Sequence, residues 1–125
     1  MAWTSVTALR AFTPALAGNV MFKAGMETID LIKSDLIRLR DSLKSKPEAE
    51  LKVYEKEPLK KEYDVFGKKY PLVIYSEMDQ DGTLNVIVEA TKYHLFGSST
   101  SYSEGFKIQG GTIIDLTEQE LWEFD

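Results

Sequence analysis

Residues 69–96 constrain the fold most, because two runs rich in β-branched and aromatic residues flank Asp79-Gln80-Asp81-Gly82. A turn of Asp and Gly between such runs is the strongest short-range signal for a β-hairpin. The first run is apolar on both of its faces, which predicts a strand that is covered on both sides or lies centrally. We therefore expect the rest of the chain to cover a sheet built around this hairpin.

Five strands are predicted in all, because the apolar period is two from residue 62 onward. Gly67-Lys68 and Gln109-Gly110-Gly111 are expected to be tight hairpin turns, and the polar run at 97–101 is expected to be a flexible loop. The expected strands cover residues 62–66, 69–77, 83–96, 102–108 and 112–116.

An amphipathic helix is predicted at residues 26–46. Its apolar residues recur at spacings of three and four, which places them on one stripe of a helix. The stripe consists of Ile29, Ile32, Leu36, Leu39 and Leu43. A helix lying on the sheet explains this stripe, and a homodimer through the same five residues is the alternative, since they also match about two heptads.

Two shorter segments complete the expected fold. Pro47 ends the first helix, and residues 47–57 predict either a solvated helix or a strand-like connector. Thr117 and Glu120 have the spacing of a capping box, which predicts a short C-terminal helix. The fold class is therefore α+β, with an antiparallel sheet of about five strands, one long amphipathic helix packed on it and a short C-terminal helix.

A chain of 125 residues is expected to form one domain. Residues 1–25 carry Arg10 and Lys23 but no acid, a composition similar to that of an organelle transit peptide, although we prefer an ordinary N-terminal arm. No run approaches the ~20 apolar residues that span a bilayer. We expect an arm over residues 1–25, a single domain over residues 26–125 and a cytoplasmic location.

Charge is distributed unevenly along the chain, whose formal net charge is −5. Residues 63–125 carry four bases and eleven acids, so that half alone is −7. A nucleic-acid-binding protein needs a concentrated basic surface to neutralise phosphates, and this half has the opposite character. We therefore expect a basic protein as the partner, and neither nucleic acid nor membrane.

Few residues indicate catalysis or metal binding. The chain has no cysteine, which excludes disulfides, thiolate catalysis and cysteine zinc sites, and His94 is its only histidine. Residues 79–82 resemble the start of a calcium loop, but Leu84 and Ala90 occupy the positions that require glycine and glutamate. We predict no catalytic residue, no metal and no cofactor.

The acids of the C-terminal half, together with its aromatic residues, are the predicted partner-binding surface. Aromatic anchors surrounded by charge are typical of interface hot spots. The predicted contact residues are Glu77, Asp79, Asp81, Tyr102, Asp115, Glu118, Glu120, Trp122 and Glu123.

The sequence thus favours a small, acidic, soluble binding protein without catalytic activity, which neutralises or regulates a basic protein. Bacterial immunity proteins against nuclease toxins and phage-encoded inhibitors are similarly small, acidic, cysteine-poor and not enzymatic, although no motif is shared. The alternative is a small enzyme or ligand-binding protein, with a pocket between helix and sheet and with His94, Tyr93 or Tyr102 near its mouth.

Overall fold

The computed structural model describes residues 26–65 and 67–124, which form a five-stranded antiparallel sheet with helices packed on both faces. Successive strands are neighbours in the order β1-β2-β3-β4-β5. The strands are β1 Leu59–Val65, β2 Lys68–Met78, β3 Leu84–Tyr93, β4 Ser99–Gln109 and β5 Thr112–Asp115. The helices are α1 Met26–Leu43, α2 Glu48–Lys56 and α3 Glu118–Trp122. This arrangement is α+β, as expected; the predicted N-terminal arm lies outside the described residues.

One face of the sheet is covered by α1 and α2, which together close the main hydrophobic core. The α1 stripe lies over β3 and β4. Four of its side chains are at most 2% exposed: Ile32, Leu36, Leu39 and Leu43. Burying each of them contributes on the order of 1.5–3 kcal/mol before conformational entropy is subtracted. The expected helix on a sheet is therefore present.

The dimer alternative is not carried forward, because the stripe packs inside its own chain. A homodimer through Ile29, Ile32, Leu36, Leu39 and Leu43 would need these side chains at the surface. Ile29 alone among them is more than 2% exposed, at an intermediate level.

The expectation of a single long helix on the sheet needs correction, because α2 shares this face by packing on β2. Pro47 is the N-cap of α2, so the chain turns there and a second helix begins at once. Leu51 of α2 is fully buried, and its carbonyl accepts a 2.7 Å hydrogen bond from the Ser76 hydroxyl. A second buried polar contact joins α1 to the sheet, since the Tyr63 hydroxyl donates to the Asp35 carboxylate.

The turn signals were right, but one predicted loop was wrong. The β2–β3 turn is closed by a 2.9 Å bond from the Asp79 amide to the Thr83 carbonyl, and Gly82 has φ +86. Of the run at 97–101 only residues 97 and 98 lie in a turn, since its last three residues belong to β4 and pair with β3. Backbone pairing does not depend on side-chain polarity, so a serine-rich segment can still complete a strand. Lys68, which was expected in the β1–β2 turn, already belongs to β2.

The second face of the sheet is covered only in part, by α3. The predicted capping box is present, with the Glu120 amide donating to the Thr117 hydroxyl and the Thr117 amide donating to the Glu120 carboxylate. Leu121 then packs with Leu116 against Ile87 in a small second cluster. Within residues 26–65 and 67–124, no helix is both long and apolar enough to cross a membrane.

Gly105 lies where β4 comes closest to its neighbours. A Cβ on this residue would lie 2.5 Å from the Val86 carbonyl oxygen and 3.0 Å from a Leu116 methyl carbon. The first contact is with backbone, which cannot rotate away. Only glycine therefore fits between β3 and the segment that leads into α3.

We predict that Gly105→Ala lowers the free energy of unfolding by about 1–3 kcal/mol, because overpacking forces the β3 and β4 backbones apart. Urea denaturation measures the change. Ser103→Ala, two residues along the same strand, is the control and is expected to change stability little. Equal stability of the wild type and Gly105→Ala would contradict the close approach.

Candidate partner-binding site

A groove opens at the edge of the sheet, between α1, β4 and α3, with a volume of about 230 Å³. Three of the residues that the sequence singles out as partner contacts line it: Tyr102, Glu118 and Trp122. The other lining residues are Lys33, Ser101, Ser103, Glu104 and Leu121. The sequence thus identified three of eight lining residues, one on β4 and two on α3.

The contribution of α3 follows from helical spacing. Glu118, Leu121 and Trp122 are three and four residues apart, so they share one side of the helix. Leu121 is buried and fixes α3 on the sheet, whereas Trp122 is 79% exposed. A large aromatic side chain therefore lies at the groove with most of its surface available for contact.

The Glu104 carboxylate lies at the groove among charges of both signs. Burial raises the pKa of this carboxyl above its ordinary value, and the charges of Asp115 and Glu118 raise it further, while Arg40 and Lys33 lower it. One Arg40 guanidinium nitrogen lies 3.8 Å from a Glu104 carboxylate oxygen, longer than a hydrogen bond. A further positive charge beside this carboxylate would favour its ionised form and lower its pKa.

Four more of the predicted residues lie together near Lys107, away from the groove lining. We call Glu77, Asp79, Asp81 and Glu120 the turn-end acids. The Lys107 ammonium donates a 2.8 Å bond to Glu120, which raises the pKa of Lys107, and the charges of Asp79 and Asp81 raise it further. Asn85 of β3 is paired with Glu77 of β2 on one side and with Lys107 of β4 on the other. One base thus lies among several acids at this end of the sheet.

The last two predicted residues are separate from both groups. Asp115 lies on the face covered by α1, where it pairs with Lys44 and, at 3.5 Å, with Arg40. Much of its charge is therefore neutralised within the chain. Glu123 follows α3 and is exposed.

An exposed pair of apolar side chains lies in the turn just before β4 begins. The sequence predicts a strand through residue 96, but β3 ends at Tyr93 and the chain turns through residues 94–98. Leu95 and Phe96 are 96% and 98% exposed as a result. Neighbouring exposed apolar side chains of this size are typical of contact surfaces.

His94 lies in this turn, where a ring nitrogen is 2.8 Å from the Thr100 hydroxyl. It does not line the groove, whereas Tyr102 does. Among residues 26–65 and 67–124, no group of three or more His, Cys, Asp or Glu side chains could hold a metal ion.

Five of the residues that line the groove were not predicted from the sequence. They are Lys33, Ser101, Ser103, Glu104 and Leu121. The alternation of β4 was visible in the sequence, but which edge of β4 would lack a partner was not. Which residues line the groove thus depends on where β5 stops pairing with β4 and on where α3 crosses the sheet.

Comparison with known proteins found no matching family model, no matching curated protein and no matching solved structure.

We predict that Lys107→Met destabilises the fold at neutral pH and that this loss shrinks in acid. The Lys107 bond lowers the pKa of Glu120 below its ordinary 4.5, and the Thr117 amide lowers it further. A carboxyl with a lowered pKa stabilises the fold above its unfolded pKa, and this contribution is lost as the pH falls through the folded value. Urea denaturation on both sides of the Glu120 titration measures the difference.

The control is Lys69→Met. Lys69 lies 3.5 Å from Glu62, but both side chains are more than two-thirds exposed, so we expect this pair to add little. A destabilisation by Lys107→Met that is the same at neutral and acid pH would contradict the assigned role of the Lys107–Glu120 bond.

Proposed function

We propose that this protein is a small acidic binding protein without catalytic activity, which neutralises or regulates a basic protein in the manner of an immunity protein or inhibitor. The observation that carries the proposal is the groove at β4, where Trp122, Tyr102 and two carboxylates line one cavity. This combination suits a lysine or arginine side chain of a partner.

The electrostatic part of the proposal depends on Glu104 and Glu118. A cation between them would be attracted by both carboxylates, and burial of the site would strengthen that attraction. The acidic C-terminal half would also speed the approach of a basic partner and make the association rate depend on salt. The turn-end acids belong to this long-range field rather than to the groove.

The apolar part of the proposal depends on Trp122. Tryptophan and arginine dominate measured hot spots, and an arginine can also stack on an indole face. Leu95 and Phe96 offer a second apolar contact just before the start of β4, in the same half of the strand as the groove. An aromatic anchor beside carboxylates supports protein recognition.

The ligand-pocket alternative has less support. It requires a pocket between helix and sheet with His94, Tyr93 or Tyr102 near its mouth. Buried apolar side chains fill that interface, and of these three residues only Tyr102 lines the groove. The geometry of the groove therefore favours the binding proposal over the ligand pocket.

The test of charge selectivity is a selection from a random phage-displayed peptide library on the immobilised full chain, with washes at low and high salt. We expect enrichment of lysine- and arginine-rich peptides, with binding that weakens as salt rises. Glu118→Lys should weaken these peptides, and Glu62→Lys, which changes net charge equally at the opposite edge of the sheet, should not. Enrichment of neutral or acidic peptides, or the same loss in both variants, would overturn the proposal.

The anchor role of Trp122 has its own test. We expect Trp122→Ala to weaken the selected peptides at least about tenfold, since truncation of a hot-spot aromatic costs about 2 kcal/mol or more. Val53→Ala, which removes another exposed apolar side chain from α2, is the control and should leave affinity unchanged. Titration calorimetry measures both. Unchanged affinity in Trp122→Ala would remove Trp122 from the site.

A further inference from the structure

One half of β4 has no strand on its outer side among the described residues. All of β4 except its last residue, Gln109, pairs with β3, but β5 pairs only with residues 106–109. The last bond on that side runs from the Leu116 amide to the Gly105 carbonyl, at 2.9 Å. Residues 99–104 therefore form an open edge about 20 Å long, at ~3.3–3.4 Å per residue.

The direction of the backbone groups on this edge follows from the register. A two-residue turn at Gly110-Gly111 makes Gln109 and Thr112 a hydrogen-bonded pair, and such pairs recur at every second residue. The Gly105–Leu116 bond falls in this series. By continuation, Ser99, Ser101 and Ser103 direct their amides and carbonyls outward, away from β3.

At the opposite edge of the sheet, charged side chains protect β1 from pairing with another chain, whereas the open half of β4 has little such protection. The seven residues of β1 carry four charges, on Lys60, Lys61, Glu62 and Asp64. Charges on an edge strand discourage pairing with another chain. The open part of β4 reads Ser-Thr-Ser-Tyr-Ser-Glu, and Glu104 carries its single charge. Of these two segments, the open edge of β4 is therefore the one free to accept another strand.

We infer that an extended, basic segment of a partner protein binds along residues 99–104 as a sixth strand of the sheet. The inference rests on the proposed function and specifies how the partner is held. Backbone bonds to Ser99, Ser101 and Ser103 provide affinity that does not depend on sequence, and side-chain contacts in the groove provide selectivity.

The two walls of the groove match the alternation of an added strand. Side chains that point toward α3 meet Glu118 and Trp122, and those that point toward α1 meet Tyr102 and Glu104. The α3 wall thus offers an aromatic ring and a carboxylate, and the α1 wall offers an aromatic ring and a carboxylate beside the basic side chain of Lys33. A segment with lysine or arginine on the side that faces α3 complements Glu118 and Trp122, which is why we choose a basic partner and not a second acidic copy of this chain.

The test uses the full chain and the basic peptide most enriched in the selection described above. Ser101→Pro removes an outward amide without removing a backbone bond to β3, because only even-numbered β4 residues make backbone bonds to that strand; the one bond lost is the exposed 3.3 Å contact between the Ser101 and Thr91 hydroxyls. We expect this variant to bind the peptide at least about tenfold more weakly. Glu62→Pro, at an outward position of β1, is the matched control and should bind normally. Thermal unfolding checks that both variants are folded.

Amide hydrogen exchange of the wild type provides a second measurement that does not depend on a variant. In the free protein the amides of Ser99, Ser101 and Ser103 should exchange faster than those of Thr100 and Tyr102. Saturation with the peptide should slow the three serine amides specifically.

The outcomes separate the two proposals. If basic peptides are enriched but bind Ser101→Pro normally and leave the serine amides unprotected, strand addition is wrong and the proposed function stands. If no basic peptide is enriched, the proposed function fails and this inference fails with it. If sedimentation finds a dimer of the free chain that Ser101→Pro abolishes, the edge accepts a second copy and the choice of a basic partner is wrong.

Discussion

The hydrogen bond from the Leu116 amide to the Gly105 carbonyl marks the point on which the candidate site depends. Beyond it β5 no longer pairs, and the chain leaves the sheet edge to cross to the second face. Leu116 is buried there against Ile87. The capping box at Thr117 then starts α3, whose first residue lies two positions after Leu116. Because the chain departs so early, half of β4 keeps a free edge, and α3 forms a wall beside it.

Gly105 permits this departure. Its missing side chain lets β4 approach the Val86 carbonyl while Leu116 packs above it. A larger residue would move β4 away from β3, or Leu116 away from the second cluster. Sheet stability and the geometry of the groove therefore depend on the same residue.

The position of each acid in the fold decides what it can do for a partner. Asp115 pairs with bases of α1, and Glu120 caps α3 while it also binds Lys107. These carboxylates stabilise the chain itself, and their charge is partly neutralised. Glu118 lines the groove. Glu104 also lines it, and its carboxylate lies 3.8 Å from an Arg40 guanidinium nitrogen, which is longer than a hydrogen bond. A count of acids along the sequence therefore overstates the charge that a partner would meet.

The sequence by itself determined the local features of this protein. The turn at residues 79–82, the glycine turn at residues 110–111, the α1 stripe and the Thr117 capping box each depend on a few neighbouring residues, and all four are present. The tertiary structure alone decided that residues 99–101 join β4, that α2 shares the helix-covered face and that Glu104 meets Glu118 at a groove. Those features depend on strand register and on where β5 ends. Both are set by contacts between residues far apart in the chain, which no local pattern encodes.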